Sequence, residues 1–331
     1  MNKKYDVIGL GNTIMDFLVE VDDKTLLDFN LKKGEMHLVD ETKAKEVLQK
    51  LHHQNLEIEM VPGGSCANTM RGLALLGAKV IFCGKVGEDK HADWYIEALQ
   101  DHAVVTKMKK HQGITGHAIG FITPDAQRTF SVHLGAGIHV AKEDVIEEDI
   151  ALSRVLHIEA YQLEGKTQEV IFYAMEMAKK HGTKISIDLA DPGLIRRQRE
   201  VLQDVVKKYA DIVFVNETEA REFTGKEEVE AAKVLGEDVD IAIVKLGKEG
   251  SMVYNNGEIS YIAPFMAKAI DTTGAGDTFA AGFLYGYCRE WDLAKAGKLG
   301  SLLAAKVVEQ KGVKLKHLEF VKWMREIERE E

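Results

Sequence analysis

Along this chain, short runs rich in β-branched and aromatic residues alternate with longer stretches whose apolar positions recur at helical spacing. The runs "YDVIGLG", "KVIFCGKVG", "VLHIEA", "KISIDLA", "DIVFVNE" and "IAIVKLG" are separated by segments such as "KTQEVIFYAMEMAKKHG" and "VLQDVVKKYA". That alternation predicts an α/β fold, a mainly parallel sheet with helices on both faces. Two stretches break it: "TIMDFLVEVDDKTLLDFNLKKGEMHLV", and "GHAIGFITPDAQRTFSVHLGAG", whose Thr123-Pro124-Asp125-Ala126 reads as a turn between two strands. They predict a small β-sheet, from about residues 13–39 and 112–137, over one end of the main sheet. Ligands of open parallel sheets bind at the carboxyl ends of the strands, so a β flap there would be a lid. An edge decoration without function is an equal reading of these stretches alone. With only four prolines and no Gly/Ser-rich linker or repeat, one domain over residues 1–331 is expected.

Composition narrows the partners. At 331 residues and 45% hydrophobic content the chain can bury a large core, and its net charge of −10 argues against broad binding to nucleic acid or anionic lipid. A small-molecule substrate is the partner expected. Cys66, Cys83 and Cys288 are too few and too scattered for a disulfide framework and suit reduced thiols. The N-terminal "MNKKYDVIGLG" lacks the apolar core of a signal peptide, and no apolar run approaches membrane-spanning length, so a cytoplasmic location is expected. The twelve histidines show no paired metal spacing.

Several familiar cradles fail. Gly9-Leu10-Gly11 follows a strand, but Ile14 occupies the place of the third glycine of a dinucleotide fingerprint. Asn12 and Asp16, just past that strand, remain as holders of hydroxyl groups or as turn caps. "PGGSCANTMRGLALLGA" opens an amphipathic helix with Gly63 and Gly64, which let a ligand touch backbone, and places Asn68 in its first turns. The segment nearly matches a serine nucleophile elbow, but Ala67 replaces the last glycine. No G-x-x-x-x-G-K-[ST] loop exists, and the protein-kinase combination of motifs is absent.

The segment "DTTGAGDTFAAGF", Asp271 to Phe283, offers another cradle. Backbone N–H groups at a helix start lack partners, and Gly274-Ala275-Gly276 lets an anion approach them. Such groups can stabilise a transferring phosphoryl group without a Walker lysine, and Asp277 beside them can take a proton from an acceptor hydroxyl. An acid favoured by the macrodipole after a glycine turn is the plainer alternative. "DIVFVNETEAREF" places Asn216 and Glu219 three residues apart, which suits a water-rich magnesium site or a capping box. Gly247 and Gly250 in "VKLGKEGSMVY" surround a tight turn that could pass an adenine ring, or form a plain hairpin.

The order of these motifs closely resembles the ribokinase-like, or PfkB-type, carbohydrate kinase family over nearly the whole chain. "GN…D" comes early, "GGSCAN" on the first long helix, "NETE" late, and then "DTTGAGD", the most specific of the four. The resemblance implies a three-layer α/β/α sandwich with a β-sheet lid and ATP-dependent phosphorylation of a hydroxymethyl group. It implies Asp277 as the base and Gly274, Ala275 and Gly276 as the anion hole. Asn12, Asp16, Gly63, Gly64 and Asn68 would bind substrate hydroxyls; Lys245, Gly247, Gly250 and Thr272 would bind nucleotide; Asn216 and Glu219 would order Mg2+ and its water. A homodimer through the lid is a further expectation drawn from the family.

Two departures bear on the acceptor. Ser65 stands where ribokinase-type members often have lysine, and Asp188 is followed by Ala190 and Pro192 rather than by D-x-N-x-R. Both look more like the adenosine kinase branch, which implies a nucleoside acceptor, with a free sugar as the alternative. Phe17, Met36, Phe121 and Phe130 would wall a planar base, or form the lid's own core. A non-catalytic nucleoside-binding protein is disfavoured because Asp277 and Gly-Ala-Gly are intact.

Overall fold

The apolar runs become strands of a nine-stranded sheet, in a computed structural model that describes residues 3–33, 36–54, 56–125, 128–314 and 316–329. Its strands are β1 (Tyr5–Leu10), β5 (Val80–Val86), β6 (Val105–Lys110), β9 (Ser153–Glu159), β10 (Lys184–Asp188), β11 (Ile212–Asn216), β12 (Ile241–Lys245), β13 (Ser251–Asn255) and β14 (Glu258–Ile262). They lie in the order β14-β13-β12-β11-β10-β9-β1-β5-β6. Every pair from β6 to β12 is parallel, and the β12–β13 and β13–β14 hairpins add an antiparallel edge.

Central parallel strands must be covered on both faces, which is why their runs are mostly apolar rather than alternating, with His157 and Ser186 buried among them and bonded to each other. Val7, Phe82, Val155, Phe214 and Ile243 pack toward the helices Ser65–Leu75, Ala275–Cys288 and Leu293–Val307. On the other face Ile8, Leu156, Ile187 and Val213 pack toward Gln168–Lys180 and Arg199–Tyr209. The result is a three-layer α/β/α sandwich. Connections leave β1 toward β5 on one side and reach β9 on the other, so the strand order reverses between β1 and β9. The crevice at such a reversal is where open α/β sheets bind ligands.

The second sheet has five strands, in the order β3-β8-β7-β2-β4, from β2 (Ile14–Glu20), β3 (Met36–Leu38), β4 (Ile58–Gly63), β7 (Gly116–Ile122) and β8 (Arg128–His133). Strand β4 lies outside the two stretches that the sequence singled out. It belongs because its partner β2 needs an edge, and Ile14 pairs with Gly63 in that ladder. Of the turn read at Thr123 to Ala126, Ala126 lies outside the described residues. Alternation along β2 buries Met15, Phe17 and Val19 on one face and leaves Asp16 and Leu18 on the other. Phe17 and Phe121 are 2% and 0% exposed, and Phe121 stacks 5.0 Å from Phe29. Both belong to the small sheet's own core rather than to the wall of a base pocket. Phe130 and Met36 do share the open face, in register with Leu18 and Gly120.

Two helices of the first layer meet at glycines. A Cβ added at Gly282 would lie 2.7 Å from backbone atoms of Gly300, so the Ala275–Cys288 and Leu293–Val307 helices touch there without side chains. Gly282→Val should force them apart and lower stability by about 1–3 kcal/mol or more, read as a fall in the urea midpoint. An unchanged midpoint would contradict this packing.

Candidate active site

Five strands of the large sheet end in polar side chains at one edge: Asn12 just beyond β1, Glu159 on β9, Asp188 on β10, Asn216 on β11 and Lys245 on β12. Two helices start above this edge, and each needs a backbone turn that glycine supplies. Gly64 has φ +91 before the Ser65 helix, and Gly274 has φ +74 before the Ala275 helix. The first rung of the second helix is the Thr278 N–H to the Gly274 carbonyl, so the N–H groups of Gly276 and Asp277 precede its ladder. The Ala275 N–H turns back onto the Thr272 carbonyl at 3.2 Å, which narrows the anion hole read from the sequence to the two residues after it.

Asp277 joins the two helices. Ser65 Oγ donates to its Oδ1 at 2.8 Å and Asn68 Nδ2 to its Oδ2 at 2.9 Å, while Thr69 Oγ1 donates to its main-chain carbonyl at 3.2 Å. Loss of solvent raises the Asp277 pKa to about 6; the two donors and Lys245 pull it down, and Asp188 pushes it up. The carboxylate is therefore ionised near neutrality yet basic enough to accept a proton. Ser65, noticed in the sequence only as a missing lysine, is one of its holders.

Beside it lies a cleft of about 770 Å³. Of the residues expected there, Asn216, Glu219, Lys245, Gly247, Gly250, Thr272, Ala275, Gly276 and Asp277 line it. Gly274 stands behind the wall, against Val313. Lys245 Nζ bonds Asp188 Oδ2 at 2.9 Å and reaches the phosphate cradle, lying 3.1 Å from where a Cβ of Gly276 would be. Burial works against this ammonium, but Asp188, Glu219 and Asp277 outweigh it and hold its pKa above the usual value. Glu219 is spent differently: its Oε2 accepts the Asn216 N–H at 2.7 Å and its Oε1 the Asn216 side-chain amide at 2.6 Å, while the Glu219 N–H donates to Asn216 Oδ1. That is the capping box, and burial pushes the Glu219 carboxyl up. The sequence pattern did not expose the apolar residues of the cleft lining, Pro264, Phe265, Met266, Ala304 and Val308.

Asn12, Asp16, Gly63, Gly64 and Asn68 gather on the far side of Asp277, outside that cleft. The Asp16 carboxylate lies so close over Gly63 that a Cβ there would collide with it, and one at Gly64 would meet the Asn12 carbonyl. Glu159, which no motif flagged, binds this group together. Its Oε1 accepts from Asn12 N and Nδ2 at 3.2 and 3.3 Å, and its Oε2 accepts the Cys66 N–H at 2.9 Å. An acid ending the apolar run "VLHIEA" was the available signal.

A carboxylate of raised basicity, with a group of polar side chains on one side and free helix-start N–H groups and a buried ammonium on the other, is an arrangement able to support phosphoryl transfer to an alcohol. A model of pfkB family carbohydrate kinases matches residues 29–319. The chain belongs to this family. As a PfkB carbohydrate kinase it is a phosphotransferase that acts on a sugar hydroxyl, and a sugar or nucleoside kinase fits. It is 31% identical over 265 residues to a 5-dehydro-2-deoxygluconokinase of Clostridium botulinum, covering 74% of this chain and 78% of the relative. The crystal structure of an adenosine kinase from Sinorhizobium meliloti superposes with a TM-score of 0.88 and 31% identity, over 98% of this chain and 99% of that one. A probable sugar kinase from Rhizobium etli superposes as well, with a TM-score of 0.88, 30% identity and 98% of each chain. No helix among this kinase's described residues is long and apolar enough to cross a membrane.

Asp277→Asn should lower kcat about 10²-fold or more while both KM values stay within a few-fold, because shape survives and the proton acceptor does not. In the parent enzyme kcat/KM should fall as pH drops through about 6, since only the ionised carboxylate accepts a proton. Steady-state kinetics from pH 5 to 9 check both; normal turnover of the variant would sink the assignment. Gly276→Val should remove activity but not folding, because among the described residues outside its own helix only the Lys245 ammonium lies within 4 Å of the added Cβ. A folded, fully active variant, judged by thermal melting, would place the phosphates elsewhere.

Proposed function

We propose that this kinase transfers the γ-phosphoryl group of ATP to the 5′-hydroxyl of a nucleoside of the adenosine type. The observation that carries the transfer is the Asp277 carboxylate, held by Ser65 and Asn68 between the two pockets. In this reading the acceptor hydroxyl gives its proton to Asp277 as its oxygen attacks. The N–H groups of Gly276 and Asp277 and the Lys245 ammonium face the charge that develops on the phosphoryl oxygens. The apolar lining at Phe265 and Met266 takes the adenine of ATP, with Gly247 and Gly250 turning the chain around it.

Magnesium fits this cleft in a limited way. Among the described residues no cluster of three or more His, Cys, Asp or Glu side chains could cage a metal. Mg2+ commonly keeps most of its waters and takes few protein ligands beside phosphates, and Glu219, on the cleft wall, would hold it through water. When bound, the ion would neutralise charge on the β- and γ-phosphates. The three buried free thiols and the need for ATP suit the cytoplasm.

Support for a nucleoside comes from the acceptor side. The open face of the small sheet sets Asp16 beside Val61, Ala118 and Val132, with Leu18 and Phe130 in the next row. A planar base can lie on such a surface while Asp16 and Asn68 bind the ribose. Ser65 in place of lysine removes a cation that an acidic acceptor would use. The second reading, a free-sugar or sugar-acid kinase, is favoured by the names of the curated relatives. A homodimer through the small sheet is a further proposal, supported by Met36 and Leu38, 55% and 63% exposed on edge strand β3. With ATP and Mg2+ fixed, adenosine, inosine or guanosine should exceed ribose, fructose, 2-keto-3-deoxygluconate and 5-dehydro-2-deoxygluconate in kcat/KM, because base burial adds binding that these sugars cannot supply. A tenfold or greater advantage for any of the sugars would overturn the nucleoside assignment.

A further inference from the structure

Arg71, on the Ser65–Leu75 helix, is a buried cation that no phosphate or substrate role explains. It is 3% exposed and makes no ion pair among the described residues. Instead its guanidinium donates to the Pro62 carbonyl at 2.8 Å, to Asn68 Oδ1 at 3.2 Å and to the Val313 carbonyl at 3.4 Å, and its Nε finds no partner. Burial lowers its pKa to about 10, which still leaves it charged at neutral pH. A buried guanidinium bonded only to neutral oxygens, with one N–H unsatisfied, costs stability. Its retention points to a task.

We propose that Arg71 positions the base by fixing the amide of Asn68. Arginine offers donors and no acceptor, so it can bond only the oxygen end of that amide. The NH2 end is then compelled to face Asp277 Oδ2, where it donates at 2.9 Å. With Arg71 removed, the amide oxygen is left without this donor and the side chain is no longer anchored in the orientation that aims its NH2 end at the carboxylate. The same guanidinium holds Pro62 just before the Gly63-Gly64 turn, and Val313 packs against Gly274. Arg71 thus lies where acceptor loop, base and phosphate cradle meet.

Asp277 also faces Lys245 on β12 and Asp188 on β10, with Glu159 on β9 and the Cys66 thiol nearby. All of these remain in an Arg71 variant. Loss of the Asn68 donor makes the ionised carboxylate less favourable, so its pKa rises and the acidic limb of kcat/KM moves to higher pH. The experiment compares Arg71→Met in the parent and in an Asn68→Ala background, measuring kcat and KM across pH. In the parent, kcat/KM should fall about tenfold more at pH 6 than at pH 8, with ATP KM within a few-fold. In the Asn68→Ala background the limb should not move further, because the intermediary is gone. An unmoved limb in the parent, or an equal movement in both backgrounds, overturns the proposal. If Arg71→Met does not fold, Arg71→Lys is read by the same two comparisons, since lysine cannot span all three oxygens. The proposal rests on Asp277 being the base. Normal turnover in Asp277→Asn would remove that premise, whereas an inactive Asp277→Asn with an unmoved limb rejects Arg71 alone.

Discussion

Two helices begin at one point, and a carboxylate stands between their starts. The rest of the site depends on this meeting of the Gly64 and Gly274 turns above the sheet edge. Each helix brings its positive end, which favours an anion, while the surrounding protein strips away water, which disfavours one. Asp277 settles between these opposing effects, at a pKa of about 6. More donors would lower its basicity, and fewer would raise its pKa and leave less of it ionised near neutrality. Ser65 and Asn68 supply two, both from the partner helix, so the helix contact and the basicity of the carboxylate are one property.

That contact is made by small residues. A Cβ at Gly72 would lie 2.7 Å from the Ala281 Cβ, bringing the Ser65 helix close against the Ala275 helix, and Gly282 does the same against Gly300. Close backbone approach leaves little freedom for the helix starts to drift, which a hydrogen-bonded base requires. Buried charge is handled locally. Lys245 stays an ammonium because Asp188 bonds it and two further carboxylates face it, and its Nζ can meet a phosphate without leaving that pair.

The small sheet is a separate support for one side of the site. Phe17, Phe121 and Phe29 give it a core of its own, which leaves the opposite face, with Asp16, open toward the site. Strand β4 runs from this sheet directly into the Gly63-Gly64 turn, and Tyr95 holds the Gly63 carbonyl at 2.9 Å. A shift of the small sheet would therefore be felt at the helix start that carries Ser65 and Asn68.

Local patterns determined much of this protein without any coordinates. The alternation of apolar runs with helical stretches shows the parallel sandwich, because strands buried on both faces leave few polar positions. "DTTGAGD" and "GGSCAN" locate the two helix starts, because glycine at a positive φ is a property of the chain at that position. What local pattern could not decide is what meets what. Asn216 and Glu219 read equally as a magnesium site and a cap, and only the folded chain shows that their side chains form the capping box. Phe17 and Phe121 read either as pocket walls or as the small sheet's own core, and only the strand pleat shows them turned inward. Glu159 and the link from Ser65 to Asp277 had no readable spacing, since their partners lie 93 and 212 residues away, and Arg71, though three residues from Asn68, gave no sign that it is buried with the Val313 carbonyl 242 residues away. Burial and long-range pairing belong to the packed chain, and it is they that give an aspartate in a helix's first turn a pKa of about 6.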